Sequence, residues 1–184
     1  MKKIMIVLVS GCMLLACNSS SSNNQDSVDS AQNVNDSTNV VSNNTSDFAT
    51  EAASGGMMEV KLGQLAQQKA QNPRVKDFGA MMVKDHSQAN DELKAIAARQ
   101  NIALPDSMSN DKQQNVQKLS DKTGKDFDKA YMDMMVDDHK EDIDKFKDAA
   151  QNVQDTAVKA FASKTLPILQ KHLDSAQAIQ QALK

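Results

Sequence analysis

The stretch Phe127–Ala150, FDKAYMDMMVDDHKEDIDKFKDAA, carries a continuous stripe of side chains at steps of three or four residues. This spacing follows the 3.6-residue turn of an α-helix, so it predicts an amphipathic helix with one buried face. The stripe is apolar apart from one histidine at its centre, and it consists of Phe127, Tyr131, Met135, His139, Ile143, Phe146 and Ala150. A scarce, titratable metal ligand inside a core stripe is a position to test as a site.

Similar stripes predict three more long helices. We expect helices over 47–71, 73–100, 126–152 and 155–183, a short helix over 111–120, and a loop between 101 and 110. Asn72 and Pro73 are typical of an N-cap followed by the first helical position. Four helices of about 25 residues, mostly with short connections, predict an all-α fold: an antiparallel up-down four-helix bundle.

Each of the other three stripes is also interrupted by one polar residue, namely Glu59, His86 or His172. Helices rise about 1.5 Å per residue, and all four polar positions fall about 11 to 17 residues from a helix end. In an up-down bundle they would therefore lie near mid-height, within roughly one turn of each other. The sequence predicts that Glu59, His86, His139 and His172 converge.

Two interpretations of this convergence stay open. In the first, the bundle midplane binds a transition metal or a small ligand. Three imidazoles and one carboxylate suit zinc, copper or iron far better than calcium or magnesium. Alternatively, the four residues form a buried polar layer without metal, in which Glu59 fixes helix register in a structural or stress-associated envelope protein. An enzyme with an open metal position would need an access path to the midplane. The chain has no catalytic motif, so we expect a binding or structural protein rather than an enzyme.

Two other metal chemistries fit less well. Ferritin-like di-iron sites use a Glu-x-x-His pair on two helices, whereas Val83, Val136 and Leu169 stand three residues before the histidines. Methionine thioethers bind copper(I), but Met82 and Met135 lie on core stripes, where methionine usually fills space.

Asp85 and Asp138 each precede a stripe histidine by one residue. A step of one residue turns about 100° around a helix, so these carboxylates point away from the shared stripe. We predict that they are solvated or form hydrogen bonds between helices, rather than bind a metal directly.

The N-terminus resembles a bacterial lipoprotein signal. Lys2 and Lys3 precede the apolar run 4–16, which is too short to span a bilayer, and Leu14-Leu15-Ala16-Cys17 resembles a lipobox. We expect residues 1–16 to be removed and Cys17 to carry the lipid that anchors the protein in the cell envelope, at the outer membrane or the periplasmic face. Residues 17–46 are rich in Ser, Asn and Asp and predict a disordered tether, which leaves 47–184 as the folded domain.

Charge and composition exclude other partners and cofactors. The chain has a net charge of −3 and only 3% aromatic residues, and it has no basic stripe, so we expect no nucleic-acid binding. With Cys12 removed in the signal and Cys17 acylated, no thiol remains for a disulfide or a thiolate metal site.

Several segments together resemble the bacterial domain-of-unknown-function 4142 family. They are Phe48-Ala-Thr-Glu-Ala-Ala-Ser-Gly-Gly-Met-Met-Glu59, Leu62-Gly-Gln-Leu-Ala66, Val83-Lys-Asp-His86, Phe127-Asp128, His139, and Leu166-Pro167 through His172-Leu173. The resemblance covers about residues 47–183. It implies an exported protein, often a lipoprotein, similar to ferritin-like helical bundles, and it brings no established activity. It also adds Asp128 to the recurring polar positions, which implies that Asp128 supports the ligand side chains and does not bind the metal itself.

Overall fold

The computed structural model describes residues 25–183. The signal peptide expected at 1–16 and the lipidated Cys17 lie outside the described residues. Within the described range the chain forms six helices and no strand: the four long helices and the short helix that were expected, and one further helix at the N-terminal end. They are α1 (Ser27–Thr38), α2 (Asn43–Lys69), α3 (Pro73–Gln100), α4 (Asn110–Ser120), α5 (Gly124–Asn152) and α6 (Thr156–Ala182).

Local capping explains where several helices begin and end. The side chain of Asn72 accepts a hydrogen bond from the backbone N–H of Arg74, and Pro73 is the first residue of α3, as predicted. Asp155 caps α6 in the same way, through the backbone N–H groups of Ala157 and Val158. These caps satisfy backbone donors that the first helical turn cannot pair internally, and the starts of α3 and α6 therefore agree with the prediction to within one residue.

The expectation of a disordered tether is wrong for residues 25–46. Helix α1 occupies Ser27–Thr38, and α2 begins at Asn43. The buried Asn35 holds α1 in place: its amide donates to the carbonyl of Ala103, and its side-chain oxygen accepts from the N–H of the same residue, at 2.9 and 2.7 Å. The polar composition predicted disorder because the segment has few apolar side chains to bury. Composition cannot reveal that one polar side chain pairs with backbone 68 residues away.

The four long helices pack as two pairs, with α2 along α3 and α5 along α6. Helix α2 also contacts α5, α3 contacts α6, and the short helices α1 and α4 lie against α2. The predicted stripes face this common core, and the α5 stripe is buried from Phe127 to Phe146. No helix within residues 25–183 is long and apolar enough to cross a membrane.

Two glycines let α2 and α3 approach closely. A Cβ added at Gly63 would lie 2.6 Å from the carbonyl oxygen of Gly79, and one added at Gly79 would lie 2.7 Å from the Cβ of Ala66. Real Cβ atoms do not come this close, so the backbones meet only because side chains are absent here. This contact sets the separation of the two helices that carry Glu59 and His86.

Candidate metal centre

The structure brings together the four residues that the stripes predicted. Glu59 of α2, His86 of α3, His139 of α5 and His172 of α6 are buried, and the most exposed of them, His86, is 6% exposed. The three imidazole centroids lie 5.3 to 5.6 Å apart. Each long helix therefore contributes one side chain to a cluster at the core, which we call the His₃Glu cluster.

Hydrogen bonds fix which nitrogen of His139 and of His172 carries the proton. Nδ1–H of His139 donates to the carbonyl of Met135 at 3.0 Å, and Nε2–H of His172 donates to Oδ2 of Asp85 at 2.9 Å. The opposite nitrogens, Nε2 of His139 and Nδ1 of His172, then carry unshared electron pairs, and they face each other at 3.3 Å. Two acceptors this close repel unless something positive lies between them.

His86 and Glu59 complete the cluster. Nδ1 of His86 and Oε2 of Glu59 share a proton at 2.6 Å. The remaining nitrogen, Nε2 of His86, is buried and has no hydrogen-bond partner among the described residues. The remaining oxygen, Oε1 of Glu59, lies 3.4 Å from Nε2 of His139 and accepts no hydrogen bond there, because that nitrogen carries no proton.

The spacing of these atoms suits a tetrahedral ion. With zinc–nitrogen bonds of 2.0–2.1 Å, two ligands of a tetrahedral site lie about 3.3 Å apart. The separations from Nε2 of His139 to Nδ1 of His172 and to Oε1 of Glu59 are 3.3 and 3.4 Å. One nitrogen from each of the three imidazoles can be chosen so that all three lie within 4.8 Å of one another. The three imidazoles can therefore supply one nitrogen each to a single metal ion, and Glu59 lies beside them, in contact with His86 and His139.

Burial keeps the imidazoles neutral. It lowers the pKa of His86 and of His172 to about 4, and that of His139 to about 3, where the two neighbouring histidines add to the effect. Neutral imidazole is the form that binds metals. Burial, and then the negative charge of Asp138, raise the pKa of Glu59 well above its ordinary value. The protein has thus placed in its core a carboxyl group that is costly to ionise unless a cation compensates it.

Two more carboxylates and one lysine flank the cluster. Burial, followed by the charges of Glu59 and Asp138, raises the pKa of Asp142 well above its usual range. Asp138 Oδ2 is buried without a hydrogen-bond partner among the described residues. Lys112 of α4 lowers the pKa of all three carboxyls by its positive charge. Neither Asp142 nor Lys112 was singled out from sequence, although Asp142 stands three residues after His139, a spacing that places both on one side of α5.

The supporting residues differ in part from those expected. Asp85 forms a hydrogen bond between helices, to His172, which is one of the two roles predicted for it. The structure places Asp128 elsewhere: its carboxylate accepts hydrogen bonds from the backbone N–H groups of Gln71 and Asn72, at 2.9 and 2.8 Å. Asp128 therefore closes the turn between α2 and α3, and the residue behind the cluster is Asp85.

The fold and the cluster define an all-helical protein with three histidines and one glutamate buried at its centre. The family model described as Domain of unknown function (DUF4142) matches residues 30–179, and the chain belongs to this family. The match begins inside α1, so it includes part of the segment expected to be a tether. No curated protein and no solved structure matched the chain.

Proposed function

We propose that this protein binds one transition-metal ion at the His₃Glu cluster, with His86, His139, His172 and Glu59 as ligands. The observation that carries the proposal is the pair of hydrogen bonds from the outer ring nitrogens of His139 and His172 to the Met135 carbonyl and Asp85. Oxygen partners on the outer side of His139 and of His172 hold the proton there, so both inner nitrogens present electron pairs to each other. Metal-binding histidines are held in this way, with the second ring nitrogen donating to a carboxylate or a backbone carbonyl.

A purely structural polar layer accounts less well for the same contacts. Such a layer is stable when its members satisfy one another. Here Nε2 of His86 and Oε1 of Glu59 are buried without a hydrogen-bond partner in residues 25–183, and two acceptors face each other at 3.3 Å. A cation bound between the imidazoles would remove the repulsion between the two facing acceptors, and zinc, copper and iron all suit imidazole ligands.

We also propose that α2, α3, α5 and α6 form an up-down bundle of the ferritin-like kind. The pairing of α2 with α3 and of α5 with α6 supports this arrangement. Such bundles build metal sites in their core from side chains on facing helices. The chain lacks the Glu-x-x-His pairs of di-iron members, so the proposed site holds a single ion.

Metal stoichiometry tests the proposal. The full chain, purified in detergent without a histidine tag and stripped with a chelator, should bind one Zn²⁺ per chain with a dissociation constant below micromolar. His139→Gln should weaken binding at least about a hundredfold, because it removes a ligand that contacts both neighbouring ligands. The matched control is Asp137→Asn, an exposed site on the same helix. Absence of tight binding by the wild type, together with an unchanged His139→Gln protein, would favour the polar layer instead.

The cellular setting is a second proposal. We propose an envelope lipoprotein acylated at Cys17, on the basis of the lipobox-like Leu14-Leu15-Ala16-Cys17. Cells fed an alkyne analogue of palmitate should label the wild-type protein, and Cys17→Ser should abolish the label and leave the precursor uncleaved. Cys12→Ser, within the apolar run, is the control and should label normally. Labelling of Cys17→Ser would contradict the proposal.

A further inference from the structure

Two neighbouring cavities lead from the surface toward the His₃Glu cluster. The outer one is open to solvent, has a volume of about 540 Å³ and lies between α2, α4 and α5. The inner one has a volume of about 20 Å³, room for one water molecule, and is lined by Glu59 and His86. The two cavities share Ala52, Asp142 and Phe146 in their walls, so they meet at these side chains.

The outer cavity is negatively charged. Two lysines, Lys112 and Lys145, face five carboxylates: Asp47, Glu51, Asp142, Asp144 and Asp148. A concave surface lined mainly by one sign of charge concentrates ions of the opposite sign. The outer cavity is therefore suited to collecting cations from solution.

Asp142 is the charged residue common to both cavities. Beyond it, Glu59, Asp138 and His139 form a second group in which one ligand atom from each residue lies within 4.8 Å of the others. His139 also belongs to the group of three histidines. Asp142 and Glu59 line the inner cavity together, so a cation that reaches Asp142 lies next to a buried carboxyl group, and His139 links this group to the other imidazoles.

Lys112 lies beside this route. Its Nζ is 3.8 Å from the position that a Cβ at Gly55 would take, next to the inner cavity, and its charge acts on Glu59, Asp138 and Asp142. An ammonium group in this place balances the buried carboxylates while no metal is present. It also repels an arriving cation.

We propose that Asp142 passes the metal ion from the outer cavity to the His₃Glu cluster, and that Lys112 opposes its passage. This inference rests on the proposed metal-binding function. A residue on the route stabilises an ion in transit and does not hold it at the end. Its loss should therefore slow association and dissociation equally and leave the equilibrium constant unchanged.

Stopped-flow measurements with Zn²⁺ and a competing fluorescent chelator test the inference on the metal-free full chain. Asp142→Asn should lower both the association and the dissociation rate at least about tenfold, with the dissociation constant changed less than about twofold. Lys112→Gln should raise the association rate several-fold. The matched control is Asp144→Asn, which lines the outer cavity but not the inner one and should change both rates less than about twofold.

The outcomes separate this inference from the proposed function. If the wild type binds Zn²⁺ and Asp142→Asn does so at the same rate, the route is wrong and the metal site stands. If Asp142→Asn weakens equilibrium binding strongly while the association rate holds, Asp142 is a ligand and the transit role is overturned. If the wild type binds no Zn²⁺, the proposed function fails, and this inference fails with it.

Discussion

At the scale of single residues, the hydrogen-bond acceptors on the outer side of His172 and His139 determine which ring nitrogens are free to bind a metal. Asp85 holds the outer nitrogen of His172, and the carbonyl of Met135 holds that of His139. Both partners are fixed by helix geometry: Met135 lies four residues before His139 on α5, and Asp85 faces across to α6. These contacts select the tautomer that turns the free electron pairs inward.

Asp85→Asn should weaken Zn²⁺ binding about ten- to hundredfold, because a neutral amide orients the imidazole less firmly and leaves it less basic. Competition with a chelator of known affinity measures the change. Asp77→Asn, an exposed substitution on the same helix, is the control. An affinity equal to wild type would show that Asp85 does not orient a ligand.

The lowered histidine pKa values predict a dependence of stability on pH in the metal-free protein. Between about pH 6.5 and about pH 4 the unfolded chain binds a proton at His172 that the folded chain excludes. Stability present above pH 6.5 is therefore lost as the pH falls through this window. The raised pKa values of Glu59 and Asp142 act in the opposite direction, so the clean readout is a difference between variants.

In His172→Leu, the free energy of unfolding should depend on pH less steeply than in the wild type, by about one proton over this window. Urea unfolding at pH 7, 6 and 5 measures the slopes. Gln170→Leu, exposed on the same helix, should keep the wild-type slope. Equal slopes for His172→Leu and the wild type would mean that His172 titrates normally in the folded protein.

At the scale of helices, periodicity was enough to find the four residues of the cluster. An apolar stripe identifies the side of each helix that faces the core. The number of residues from the helix end gives the height of each position along the helix axis. Periodicity does not identify contacts made from the flanks of a stripe. It therefore left the role of Asp85 open and did not single out Asp142 or Lys112, whose partners are set by how the helices sit against each other. Periodicity also did not predict helix α1, because the contact that holds it joins the Asn35 side chain to the distant backbone of Ala103.

The Gly63–Gly79 contact gives a prediction for the α2–α3 pair. Gly63→Ala should destabilise the protein by about 1–3 kcal/mol, because the new methyl group would meet the Gly79 carbonyl and force the helices apart. Gly55→Ala is the matched control: its added Cβ would meet only Lys112, at 3.8 Å or more, and alanine favours the helix by about 0.5–1 kcal/mol. Thermal unfolding compares the two. A Gly63→Ala protein as stable as Gly55→Ala would contradict the packing described.

At the scale of the whole molecule, one ion at the cluster would join the long helices through ligands in their shared core. Zn²⁺ at a thousand times its dissociation constant should stabilise the fold by about 4 kcal/mol, and a chelator should remove this gain. Urea unfolding should show a higher midpoint with an unchanged slope. Ca²⁺, which prefers oxygen ligands, is the control and should have no effect. The same gain in His139→Gln would place the ion elsewhere.

Because α1 packs against the domain, the proposed lipid anchor at Cys17 would hold the domain closer to the membrane than a free segment up to residue 46 would. A free segment from Cys17 to residue 46 could stretch to about 100 Å, whereas the nine residues from Cys17 to Gln25 reach at most about 30 Å. Asp26, the next residue, caps α1 and also accepts a hydrogen bond from the backbone N–H of Asn110 at the start of α4. If Cys17 is acylated as proposed, the segment from Cys17 to Gln25 that links the lipid to the domain is shorter than a long helix of the domain. The start of α4, which carries Lys112, would then stay within a few nanometres of the bilayer, and the protein would sample only the thin layer of envelope next to its anchor.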